Sequence, residues 1–184
     1  ENQAFYAGLP YTVPELSDCT YVFTLPAFFI LNEFECLDLL NEIKERIVIP
    51  ASLIGFLRNQ LEEEKRMKSV SPGSVKKTED GKLVWMKSDL EQVYVWERIL
   101  KIAVNFKQCN VTDQEVLKFP FLEVCNMDRL RSVFKLSRNQ IDAIILAKRE
   151  NAVYVCDDLF LRKIASACGI TCNNSLFLLK ALYQ

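Results

Sequence analysis

Three aspartates in the C-terminal part of the chain have the residue type and spacing of a metal-ion site. Asp157 and Asp158 stand together directly after Ala152–Val–Tyr–Val–Cys156, and Asp142 lies near the start of the segment that leads into that run. Clustered carboxylates are hard oxygen ligands suited to Mg²⁺ or Mn²⁺. Such an ion can activate water and neutralise charge on a phosphodiester under attack. Much other chemistry is excluded, because the 184 residues include no histidine. A Ser–His–Asp triad, a Cys–His pair, an HExxH protease and a His-bearing zinc site are all ruled out.

Whether the three carboxylates meet depends on the elements that carry them. Ser137–Arg–Asn–Gln140 reads as a capping box, with Leu136 and Ile141 at hydrophobic-staple spacing. The helix it opens continues through Ile144, Ile145 and Ala147 toward Glu150. Ala152 to Cys156 reads as a buried strand. The next helix carries Leu161, Ile164, Ala165 and Cys168 at core spacing and stops at Gly169. Ile170 to Cys172 is a short final strand, and Ser175 to Tyr183 a closing helix. A helix between parallel strands runs back against them, so its first turns lie at their carboxyl edge. Sequence order thus places Asp142, Asp157 and Asp158 on the rim where open α/β sheets bind ligands. Two plainer roles compete. An aspartate between strand and helix often caps that helix, which one of Asp157 and Asp158 is expected to do. Asp142 has the alternative of being an ordinary exposed helix residue.

Upstream, Glu1 to Ser17 reads as an extended lead-in, and Asp18 to Leu25 as a buried strand. Pro26 suits the first turn of a following helix, with one or two helices reaching Ile43. Arg46 to Ile49 is a second strand, and Ser52 is placed to cap the helix carrying Leu53, Phe56, Leu57 and Leu61. Asp80–Gly81, between Val75–Lys77 and Leu83–Met86, is a hairpin turn. Ser88–Asp–Leu–Glu91 opens a helix to near Phe106, Thr112–Asp–Gln–Glu115 opens a short one, and Asp128 to Phe134 reads as helical. Short strands alternating with helices imply one domain over residues 1–184, a three-layer α/β/α fold. Its central parallel sheet should have four or five strands, with a basic hairpin insertion at 65–87 set apart from the core.

Half the residues are hydrophobic, including 12 Phe and 6 Tyr, enough for a packed core. A net charge of −1 gives no bulk attraction to nucleic acid or anionic membrane, so any such contact needs a local patch. One exists. Lys65, Arg66, Lys68, Lys76, Lys77, Lys82 and Lys87 against Glu79 and Asp80 give residues 65–87 a local charge of +5. Trp85 and Tyr94 lie close enough in sequence to stack on bases, so the hairpin reads as an RNA-contacting arm. Its alternative is a solvated hairpin whose charges guard an exposed edge. Glu62, Glu63 and Glu64 read as a charged helix face. Seven cysteines without a CxxC read as reduced thiols of a cytoplasmic protein. No segment has the length and apolarity of a membrane span. A start other than Met and an end inside an apolar segment point to a piece of a longer protein.

The order Leu136–Ser137, Asp142–Ala143, Ala147–Lys148, Val153–Tyr–Val–Cys–Asp–Asp158, Leu161–Arg162, Ala165 and Gly169–Ile170 resembles the C-terminal half of PIN domains. Ile49–Pro–Ala–Ser–Leu53 resembles the second strand and helix of that family. Leu31 to Leu40 is similar to PIN modules fused to repeat-containing bacterial proteins. The resemblance implies an Mg²⁺- or Mn²⁺-dependent endoribonuclease acting on single-stranded RNA. Asp142 matches its helix aspartate and Asp158 its strand-end aspartate, with Asp157 beside it. Two positions depart from the pattern. Thr24 stands where the family ends its first strand in aspartate, and no acid occurs near Gly55 or Phe56, where the family has a glutamate. The leading reading is a PIN-like domain with an incomplete acidic site and little or no nuclease activity, acting as an RNA-binding or regulatory module within a longer chain. The alternatives are an active nuclease using Asp142, Asp157 and Asp158, and an interaction domain with no nucleic-acid role.

Overall fold

The computed structural model describes residues 19–70, 73–78, 80–87, 91–119 and 136–182. The N-terminal lead-in, Ser88 to Leu90 and the helix expected over Asp128 to Phe134 lie outside the described residues. Five short strands form one all-parallel sheet: Tyr21–Phe23 (β1), Ile47–Pro50 (β2), Lys107–Cys109 (β5), Val153–Val155 (β6) and Cys172–Asn173 (β7). Their order is β5-β2-β1-β6-β7. Gly73–Lys77 (β3) and Leu83–Lys87 (β4) make the separate antiparallel hairpin that Asp80–Gly81 predicts, with Gly81 at φ 83°.

Alternation along the strands builds two cores. Tyr21, Phe23, Ile47, Ile49, Val153 and Val155 face one side of the sheet. There they meet Leu25–Glu33 (α1), a 3-10 stretch at Leu37–Arg46, Ala51–Val70 (α2) and Glu91–Ala103 (α3). Val22, Val48, Tyr154 and Cys156 face the other side. Their partners come from Asp113–Lys118 (α4), Arg138–Arg149 (α5) and Leu159–Ala167 (α6). Ser175–Leu182 (α7) closes the first side with Leu178. Because β1 and β6 are covered on both faces, their residues are apolar throughout rather than alternating with polar ones. Thus the three-layer expectation holds.

Local signals act largely as the sequence implies. Ser137 N–H donates to Gln140 Oε1 at 2.8 Å, and Thr112 and Glu115 form a reciprocal capping box. Gly169 ends α6 at φ 70°, a conformation that disfavours a side chain. Three details differ. The strand β5 was not legible, because Lys107 and Gln108 are exposed and carry no apolar run on this outer strand. The last strand is Cys172–Asn173, starting two residues beyond the expected start. Ser52 lies inside α2 and does not cap it, since its hydroxyl has another partner, described below.

Leu31 is fully buried in the first core, whereas Phe34, just beyond α1, is 56% exposed. Leu31→Ala should lower stability by about 2–5 kcal/mol through lost burial and a cavity. Phe34→Ala should stay within about 0.5 kcal/mol. Urea denaturation of both variants checks this, and equal effects would contradict the packing described.

Candidate functional site

Asp142 is one turn into α5 and only 3% exposed, so its charge requires partners. It has two. Ser52 Oγ, at the start of α2 just past β2, donates to Oδ2 at 2.7 Å. Arg138 Nε donates to Oδ1 at 2.7 Å, an i,i+4 pair along α5. Arg138 is itself held from outside the helix: Nη1 reaches Asp113 Oδ1 at 2.5 Å, and Nη2 donates to the carbonyl of Val111 at 3.0 Å. Asp113 foremost, with Asp142 adding to it, raises the guanidinium above its ordinary pKa despite partial burial. The bond to Ser52 fixes Asp142 at the carboxyl edge of the sheet. It is not an ordinary exposed helix residue.

The neighbouring strand end is stitched shut. Thr24, which follows β1, is 3% exposed. Its backbone N–H and its hydroxyl both donate to the carbonyl of Val155, at 3.2 and 2.9 Å. Strand order turns at this point, since β2 lies on one side of β1 and β6 on the other. That is where a ligand crevice is expected in an open α/β sheet.

Asp157 and Asp158 follow β6. Asp158 caps α6, with Oδ1 accepting from the N–H groups of Phe160 at 2.8 Å and Leu161 at 3.1 Å. Asp157 faces the start of α7, where the N–H of Ser175 lies 3.3 and 3.4 Å from its two oxygens. Burial pushes the Cys156 thiol up and that of Cys172 to about 12, so neither is a thiolate nucleophile.

A divalent cation here would need several carboxylate oxygens turned toward one point. Each acid instead has its own partner. Among the described residues no three acidic, cysteine or histidine side chains gather to hold a metal ion. The donors around Asp142 are a guanidinium and a hydroxyl, and the fixed positive charge repels a second cation. Around Asp142, then, the residues present do not fit the ion that sequence reasoning placed there.

The model of the PIN domain associated with the TPR-GreAB-C-PIN system matches residues 25–167. The chain belongs to the PIN domain family. No curated protein matches it. The crystal structure of PAE2754 from Pyrobaculum aerophilum is similar at 17% identity, with a TM-score of 0.52. The alignment covers 90% of this chain and 98% of that one, a likeness of fold alone.

The PIN departures seen in the sequence have structural counterparts. Phe56 packs edge-on against Trp96, with ring centroids 6.3 Å apart. Gly55 has open space where a Cβ would stand. Of the basic residues near the hairpin, Lys65 pairs with Glu97 at 2.6 Å and Lys82 with Asp80 at 3.0 Å. Arg66 and Lys77 are exposed, and Lys68 lines a shallow groove between α1, α2 and α3. The side chain of Lys76 lies outside what is described. The sequence suggested only a capping role for Ser52 and none at the site for Arg138. The i,i+4 spacing of Arg138 and Asp142 was a visible signal for one; nothing local announced the other.

Ser52→Ala should cost about 1.5–3 kcal/mol, the scale of a hydrogen bond to a charged acceptor, while Ser52→Thr should retain most of it. Equal loss in both variants would show that the hydroxyl is not what matters. Glu115 supplies a pH test. Bonds from the Thr112 N–H, then from Arg149 and the Thr112 hydroxyl, lower its pKa from 4.5 to about 2. A depressed folded pKa stabilises above the unfolded value and is lost as pH falls through the folded one. Glu115→Gln should therefore be less stable than wild type near neutral pH. The gap should close between 4.5 and about 2; thermal melts across that range would reveal one that stays open.

Proposed function

We propose that this PIN domain has little or no nuclease activity and acts as an RNA-binding or regulatory module of a longer cytoplasmic protein. The observation that carries the reading is Thr24. The end of β1 presents a neutral hydroxyl already donated to Val155, where the resemblance calls for a carboxylate. With one acid fewer, the rim holds a metal ion weakly and positions it poorly, and phosphodiester hydrolysis depends on both. The β3–β4 arm, with Lys77 exposed, and Arg66 on α2 supply the phosphate-contacting surface. The association of the matching family with the TPR-GreAB-C-PIN system supplies the regulatory context. No described helix is long and apolar enough to cross a membrane.

Single-stranded RNA in Mn²⁺ should be cut slowly or not at all, and no faster by wild type than by Asp158→Asn. Asparagine also caps helices, so that control should fold. RNA binding should weaken with added salt, with a slope near −0.7 per phosphate contact. Charge reversal at Lys77 and Arg66 should flatten that slope. Robust cleavage abolished by Asp158→Asn would overturn the reading in favour of an active nuclease using Asp142, Asp157 and Asp158. Salt-independent or absent binding would remove the RNA role.

A further inference from the structure

We propose that Arg138 is the resident cation of the rim, a guanidinium built into the chain that occupies Asp142 and shuts it to divalent metal. This deepens the reading above, and rests on it, by assigning a cause within the chain for weak metal binding.

Position, partners and burial all point the same way. Arg138 is the first residue of α5, where the helix dipole is positive and a cation is disfavoured. Its placement is therefore not explained by helix stability. It is explained by what surrounds it. Asp142 Oδ1, Asp113 Oδ1 and the Val111 carbonyl accept from Nε, Nη1 and Nη2 at 2.7, 2.5 and 3.0 Å. Three acceptors from α5, α4 and the segment after β5 fix the planar fork in one orientation, which suits arginine and not lysine. The Asp142 side chain is 4% exposed against 35% for Arg138, so the guanidinium covers the carboxylate from the solvent side. Ser52 donates to the other oxygen. A metal ion approaching Asp142 would have to displace a charge already anchored twice elsewhere. Coulomb repulsion between a fixed guanidinium and a dication a few ångströms away opposes even partial occupancy.

The test is Mn²⁺ binding by the whole chain without RNA. It combines calorimetry with paramagnetic broadening of the Ser52 and Asp142 amide resonances. Wild type should show no selective broadening at those amides. Arg138→Gln keeps an amide donor near Asp142 but removes the charge. It should bind Mn²⁺ roughly tenfold or more tightly than wild type, given the repulsion removed. Arg138→Ala should do the same, Arg138→Lys should remain closed, and adding Asp142→Asn to Arg138→Gln should abolish the gain. Selective broadening in wild type overturns the proposal by itself, even if no variant folds. A folded Arg138→Gln protein that stays silent overturns it equally. Cleavage assays judge the functional reading separately: a wild type that binds Mn²⁺ at Asp142 yet cuts nothing refutes the role of Arg138 alone.

Discussion

A carboxylate buried at Asp142 constrains the whole upper rim of this domain. An isolated charge so far from water is costly, and proteins meet the cost by pairing or by neutralising the group. Here Ser52 and Arg138 answer it, each bonding one carboxylate oxygen. Those two residues belong to elements that otherwise have independent reasons to fold. The pairing joins the start of α2 to α5. Through Asp113 and Val111 it also joins α5 to the segment that follows the outer strand β5. A second arginine repeats the arrangement at the far end of α5. Arg149 reaches Asn110 O at 3.0 Å and Glu115 Oε1 at 2.8 Å. The first turn of the short α4, with Asp113 and Glu115, is thereby tied to both arginines of α5, and Val116 enters the core.

Much of this architecture is legible from residue order, for physical reasons that also explain the gaps. Val153–Tyr–Val155 is apolar on every residue because both faces of β6 are covered, and a doubly covered strand must read that way. Asp80–Gly81 and the two capping boxes are local devices whose energies depend on neighbours within a few residues. They survive in any tertiary context. By contrast, β5 exists because β2 offers its edge at Val48 to Pro50, a long-range fact that Lys107–Gln–Cys109 does not encode. Asp158 was legible as either ligand or cap, and the cap bonds are what the structure displays. Ser52 looked like a cap by its place after a strand. A carboxylate from distant α5 competed for its hydroxyl and won.

The charge balance of the rim ties Thr24 to Arg138. One buried carboxylate carries one negative charge, which a single guanidinium neutralises. A cluster with a second acid at the end of β1 would carry two and would call for a divalent ion instead. Thr24 and Arg138 are therefore consistent with each other, and neither makes electrostatic sense beside the alternative. Replacing Thr24 by aspartate alone would remove a donor from the Val155 carbonyl and bring a carboxylate toward that oxygen. It would do so while Arg138 still held Asp142. Releasing the guanidinium alone would open one carboxylate to a metal ion, and a fuller acidic site would need an acid at 24 as well. An acid on α2 would have its open space at Gly55, one turn from Ser52, and not at Phe56, whose ring packs against Trp96. Each step taken singly leaves a buried charge unanswered or adds one, and a bound cation is what would then answer it.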